Sequence, residues 1–203
     1  AQDWLNAVLS HFQCHSIALL GYSIGARIAL FIASCRPERI RELWLLAPDG
    51  LPVSLAYRFL TSTWVGLFIF RRFVGRPGLA RFLVYLGLRC RVFSKKTGNF
   101  YLKEMETSQK RRQLYNTWIA YRSALPDRKV LFEANRSGQL AVTGVLGRTD
   151  VVIPFRKTLR RMRAVFPELA LLELDLGHNL LSEKAARVLV ERIGNKKSDH
   201  RSL

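Results

Sequence analysis

Gly21-Tyr22-Ser23-Ile24-Gly25 lies between a short apolar run and a helix-like stretch of small apolar residues. This is the spacing that an exposed serine nucleophile needs. A strand that turns sharply into a helix leaves the hydroxyl at the turn open to a substrate. The backbone at that turn is strained, so close neighbours must be small. Gly21 and Gly25 meet that demand. The helix beginning after Ser23 brings unpaired N–H groups and the positive end of its dipole, which favour negative charge. The N–H of Ile24 is therefore the expected donor to an oxyanion.

Serine is a poor nucleophile near neutral pH without a base, and the base needs an orienting acid. Histidine, with an unperturbed pKa of about 6.5, suits the first role. The chain has His11, His15, His178 and His200. His11 and His15 precede the elbow, and His200 lies in the polar tail. Only His178 follows directly on a strand candidate, in the turn Leu176-Gly177-His178-Asn179. Asp150 ends the preceding strand candidate in the same way, in Gly147-Arg148-Thr149-Asp150. Sites assemble at the carboxyl ends of parallel strands. Asp49, after the strand that follows the elbow, is the competing acid. Asp175 is too close to His178 in sequence to orient it. The expected set is Ser23 as nucleophile, His178 as base and Asp150 as orienting acid.

The elements that must hold these residues alternate. Trp4, Leu5, Val8, Leu9 and Phe12 recur at helical spacing, with Asp3 as a candidate cap. Ser16–Leu20, Glu42–Ala47, Leu140–Leu146 and Ala170–Leu174 have the length and apolarity of buried strands. Helices are expected over Ala26–Ser34, stopped by Arg36-Pro37, over Pro154–Phe166, and over Ser182–Ile193 with Ser182 as cap. Residues 195–203 are polar and expected to fray. Buried strands alternating with helices imply an α/β fold, a mostly parallel sheet covered on both faces.

Residues 51–138 interrupt this rhythm. Leu55–Phe73, Pro77–Phe93 and Phe100–Leu125 read as helices, with no strand among them. Of the formal net charge of +18, most sits here: 17 basic groups face four acidic ones. Such a field favours anionic partners. Trp64, Leu67, Phe68, Ile69, Phe70, Phe73, Phe82 and Tyr85 either line an apolar tunnel or pack the insertion onto the core. Arg71, Arg72, Arg76, Arg81, Arg89, Arg91, Lys95, Lys96, Lys110, Arg111 and Arg112 are solvated faces or recognise an anionic group. Contact with an acidic membrane surface fits the same alternation of basic and apolar residues. Nucleic acid is not an expected partner, because no nucleic-acid motif accompanies the charge. The run Trp64–Phe70 is far too short to span a bilayer.

Cys14, Cys35 and Cys90 form no CxxC pair and are odd in number. They are expected to be reduced, mostly buried thiols in a cytoplasmic setting, without a disulfide framework or zinc site.

The motifs Gly-Tyr-Ser-Ile-Gly, Gly-Arg-Thr-Asp and Leu-Gly-His-Asn together resemble the α/β-hydrolase superfamily, over residues 1–50 and 139–194. The resemblance implies a first core part at 1–50, an inserted helical cap at 51–138 and a second core part at 139–203. It matches the four strands to the fifth through eighth of that fold. The first four, and the loop that usually gives a second oxyanion donor, are then expected upstream of Ala1. The order Ser23, Asp150, His178 is the order expected of the fold. The implied activity is cleavage of an ester or thioester of a small acyl substrate, with an anionic group among the options, through an acyl-enzyme and with no metal or organic cofactor. Carbon–carbon bond hydrolysis or acyl transfer through the same triad, and a non-catalytic ligand-binding protein on the same scaffold, are the alternatives.

Overall fold

The computed structural model describes residues 2–51, 55–91, 94–183 and 185–191. Helix α1 (Gln2–His11) leads into strand β1 (Ile17–Tyr22), helix α2 (Ile24–Cys35) and strand β2 (Ile40–Leu46). Asp3 lies inside the first turn of α1 rather than capping it, where its charge complements the helix dipole. Arg36 leaves the helical region before Pro37 (φ −148°, ψ 67°) and ends α2, in keeping with the clash between proline and a helical predecessor.

Five helices follow: α3 (Leu55–Ser62), α4 (Trp64–Gly75), α5 (Pro77–Arg89), α6 (Lys95–Glu104) and α7 (Ser108–Ala120). The expected helix over Leu55–Phe73 is two helices. Thr63 caps α4 by accepting the Gly66 N–H at 3.0 Å. A Cβ on Gly66 would sit 2.0 Å from the Phe59 carbonyl oxygen, so only glycine permits this tight break. The helix expected over Phe100–Leu125 is likewise interrupted. Thr107 caps α7 by accepting the Lys110 N–H, and the helix over 95–104 starts at the Ser94 cap. The helix expected to reach Phe93 stops at Arg89; Phe93 itself lies outside the described residues.

Helix α8 (Arg128–Arg136) is an additional element that the sequence pattern does not set apart. Asp127 caps it, accepting the N–H groups of Lys129 and Val130. Its Leu131 and Ala134 belong to the same buried cluster as Leu30 and Ala33 of α2. The span 51–138 therefore divides by packing. Val84, Met105 and their neighbours form a small cluster within α4–α7, whereas α8 is part of the core.

Strand β3 (Ala141–Gly147), helix α9 (Phe155–Arg163) and strand β4 (Leu169–Leu174) complete the labelled elements. Residues 185–191 are helical, with the Ser182 hydroxyl accepting the Ala185 N–H at 3.4 Å. Ile193 and the polar tail lie outside the described residues.

The four strands are parallel in the order β1-β2-β3-β4. β2 and β3 are buried almost throughout, as central strands covered on both faces are. Leu43 and Leu45 face a cluster built with α1, α2, α8 and α9, while Trp44 and Leu46 face one built with Leu180, Ala185 and Leu189. Tyr22 pairs with Leu46, and Gly147 with Leu174, so the carboxyl ends of the strands lie level. Cys14 and Cys35 are half-buried and Cys90 is exposed, so the thiols lie nearer the surface than expected. No helix among the described residues is long and apolar enough to cross a membrane.

Candidate active site

Ser23 occupies the link between β1 and α2 with φ 51° and ψ −117°. A non-glycine residue holds such a conformation, at a cost of about 1–3 kcal/mol, only where its surroundings over-determine it. They do so here. The Ser23 N–H donates to the Leu46 carbonyl at 2.9 Å, and its own carbonyl accepts from the N–H groups of Ala26 and Asp49 at 3.1 and 3.2 Å. A Cβ on Gly21 would lie 2.6 Å from Ala26 Cα, so the strand and helix can approach only with glycine there. Gly25 is different: a Cβ at that position meets open space. Ile24 is the first residue of α2, where a helix offers its N–H no intrahelical acceptor.

The loop after β4 brings His178 to this turn. Ser23 Oγ and His178 Nε2 are 3.1 Å apart. On the other side of the ring, His178 Nδ1 is 2.8 Å from Asp150 Oδ2. Asp150 Oδ1 accepts the N–H groups of Val152 and Ile153, both at 2.8 Å. The carboxylate side chain is 1% exposed and that of His178 18%. With Oδ1 engaged by two backbone donors, Oδ2 is the acceptor for an Nδ1 proton. That tautomer leaves Nε2 with its lone pair toward the serine hydroxyl, the arrangement in which a histidine removes a serine proton.

The structure thus brings together Ser23, His178 and Asp150, with Ile24 beside them. Asp49 is placed elsewhere: its carboxylate pairs with the buried guanidinium of Arg27, one turn into α2. That guanidinium also lies 4.2 Å from the centre of the Tyr57 ring. Asp175 is exposed, His11 and His15 lie on the surface near the end of α1, and His200 is outside the described residues. Among the described residues, no three His, Cys, Asp or Glu side chains cluster as a metal site would require.

Four residues that matter to the geometry have no strong sequence signal. The Tyr22 hydroxyl donates to the His178 carbonyl at 2.8 Å. Burial, and secondarily the Asp150 charge, push its phenol pKa up, so it stays a donor. Its signal was its place beside the serine. Gly147 lets the histidine loop close in, since a Cβ there would lie 2.5 Å from the Leu176 carbonyl oxygen. Its signal was a glycine ending a strand. Phe100 of α6 sets its ring edge toward His178, 6.4 Å between centroids, and Thr97 of the same helix donates to the Val151 carbonyl at 3.2 Å. No local pattern announces that docking.

The aromatic residues expected to line a tunnel divide differently. Phe70 packs against Tyr115 and Trp118 within the helical layer. Trp64, Phe68, Ile69, Phe82 and Tyr85 are exposed, so they neither enclose a tunnel nor pack onto the core.

Solved structures share this architecture at low identity. A carboxylesterase of the thaumarchaeon Nitrososphaera gargenis aligns with 100% of this chain and 73% of its own, at 16% identity and a TM-score of 0.56. MGS-M2, an α/β hydrolase from a Medee basin deep-sea metagenome library, aligns over 95% of this chain and 69% of its own, at 14% identity and a TM-score of 0.59. The 2-hydroxy-6-oxo-6-phenylhexa-2,4-dienoate hydrolase of Rhodococcus sp. strain RHA1 aligns over 95% and 71%, at 18% identity and a TM-score of 0.54. At such identities the likeness is one of fold. No curated protein matches the chain. The family model described as "alpha/beta hydrolase fold" matches residues 1–185, and with the level strand ends and the elbow in place, the chain belongs to the α/β-hydrolase fold family.

Proposed function

We propose that this member of the family is a serine hydrolase of carboxylic esters or thioesters, with Ser23, His178 and Asp150 as its triad. Ser23 Oγ attacks the acyl carbonyl carbon while His178 Nε2 takes its proton. The N–H of Ile24 stabilises the oxyanion of the tetrahedral intermediate. His178 then protonates the departing oxygen or sulfur, leaving an acyl-serine. Water, deprotonated by His178, releases the acid and restores the serine. Asp150 fixes the tautomer throughout and stabilises the imidazolium that forms.

The observation that carries this reading is the continuous line of contacts, 3.1 Å from Oγ to Nε2 and 2.8 Å from Nδ1 to Oδ2. Helices α3–α7 act as the cap in this account, since α6 touches the His178 and Asp150 loops and α3 rests on Arg27 through Tyr57. The three unpaired cysteines favour a reducing, cytoplasmic setting. The test is turnover of paired p-nitrophenyl ester and acyl-thioester substrates by the wild-type chain and by Ser23→Ala. The expected result is turnover that disappears in the variant. Equal turnover by both proteins contradicts the assignment, and retained tight substrate binding with no turnover in either favours a ligand-binding scaffold.

A further inference from the structure

From Leu51 through Lys103 the chain carries ten basic side chains and not one acidic one. Among the described residues, the same stretch holds the largest group of exposed apolar side chains. On α4, Trp64 is 81% exposed and Phe68 61%, with Val65 and Ile69 beside them. On α5, Phe82 and Tyr85 are each 60% exposed, next to Leu83 and Leu86. The spacing explains the arrangement. Trp64, Phe68, Arg71, Arg72 and Gly75 recur every three or four residues, so they share one face of α4. Its first two turns are apolar and the remainder basic. The opposite face, with Gly66 and Phe70, is the one buried against the neighbouring helices. Near the carboxyl end, Phe68, Arg71, Arg72, Gly75 and Arg76 line a shallow, open depression of about 480 Å³. The Arg72 guanidinium lies 5.8 Å from the Phe68 ring centre.

We infer that the α4–α5 face docks onto an anionic phospholipid surface. Interfacial helices combine an aromatic and aliphatic face with flanking Arg or Lys, burying the first at the acyl boundary and placing the second among headgroup phosphates. α4 and α5 carry both parts on exposed residues. Twelve or thirteen residues each, they lie on a bilayer rather than cross it. A second copy of the chain is a poor occupant, because two faces without an acidic residue repel one another. Nucleic acid matches the charge, and bases can stack on Trp64, Phe68, Phe82 and Tyr85, but the exposed aliphatic Val65, Ile69, Leu83 and Leu86 beside those rings gain nothing from bases. Hydrocarbon accepts them. This docking is independent of the hydrolase reading, because Ser23 lies outside the face.

The test is flotation of the whole chain with vesicles of phosphatidylcholine alone and of phosphatidylcholine mixed with phosphatidylglycerol. The chain is expected to float with the mixed vesicles at least tenfold better, less so as salt is raised. Arg71→Gln/Arg72→Gln should weaken binding by roughly 25-fold, at about fivefold per basic side chain near such a surface. Trp64→Ser/Phe68→Ser should weaken it as well, while Ser23→Ala binds like wild type. All four positions in the paired variants are exposed, and circular dichroism checks that folding is kept. No preference of the wild-type chain for the mixed vesicles overturns the inference, and that comparison needs no variant. So does undiminished binding by both paired variants, a dimer in size-exclusion chromatography that Trp64→Ser/Phe68→Ser dissolves, or a single-stranded oligonucleotide that competes for the chain as tightly as the vesicles.

Discussion

His178 and Asp150 meet through a single pair of atoms, Nδ1 and Oδ2, 2.8 Å apart, while the other carboxylate oxygen is spent on two backbone N–H groups of the chain just after it. Asp150 is thereby fixed by its own loop before it meets the histidine. Its orientation depends on the turn at 150–153 and not on the partner it orients.

That separation predicts the behaviour of Asp150→Asn. The amide oxygen can keep the bonds to Val152 and Ile153, which turns the NH2 group toward Nδ1. The histidine then favours the wrong tautomer. A loss of kcat on the order of 10⁴-fold is expected, with stability nearly unchanged. Ester turnover and thermal unfolding of the variant check this together.

Tyr22 supplies a pH dependence. Burial first, and the Asp150 charge second, hold its phenol above the ordinary value of 10.0. The unfolded chain therefore loses this proton before the folded one as pH rises, so the native state binds more protons in that window. The stabilising contribution is complete below about pH 10 and is lost as pH climbs through the folded value. Tyr57 and Tyr101 are shifted in the same direction, with burial as the main cause. Stability should fall in alkali above about pH 10. Tyr22→Phe should flatten part of that fall, while costing about 1 kcal/mol at neutral pH for the bond to the His178 carbonyl. Chemical denaturation across an alkaline pH series measures both.

The glycines of the site should separate sharply. In Gly147→Ala the new methyl meets the Leu176 and Gly177 carbonyl oxygens at 2.5 and 2.6 Å, so the histidine loop must move away. About 1–3 kcal/mol of stability should be lost, with a larger fall in kcat than in substrate affinity. Gly25→Ala places its methyl in open space and should fold and turn over like the parent. Steady-state kinetics on the two variants decide it.

Arg27 and Asp49 give a prediction about the fold. The Arg27 side chain is 3% exposed and that of Asp49 37%. Removing the acid leaves a buried cation without its counter-charge, which costs about 3 kcal/mol or more. Asp49→Ala should lower the thermal midpoint clearly. Because the Asp49 backbone N–H, not its carboxylate, holds the Ser23 carbonyl, residual activity in the folded fraction should survive. Activity normalised to folded protein distinguishes this from a direct catalytic role.

Much of the core was legible because its strands are short apolar runs ending in glycine-containing turns. Ser16–Leu20 was read where β1 runs Ile17–Tyr22, and Leu140–Leu146 where β3 runs Ala141–Gly147. The helices from 55 to 120 were joined wrongly at Thr63 and Thr107. Threonine inside a helical pattern looks neutral, and only the bent path of the chain makes each of them a cap. Helix α8 escaped notice because it is short, and its burial depends on contact with α2 distant in sequence. Asp49 and Asp150 both end strands, so local pattern could not separate them. What separates them is Arg27, a single cation in an apolar helix, which claims Asp49 and leaves Asp150 for the histidine.

The central claim is that Ser23 is an activated nucleophile, and its most direct test is labelling by a fluorophosphonate probe. Wild-type chain should be labelled at Ser23, as located by mass spectrometry of the modified peptide, and His178→Ala should lose the labelling while remaining folded. Labelling that persists in Ser23→Ala, or no labelling of a wild-type chain shown to be folded, contradicts the account.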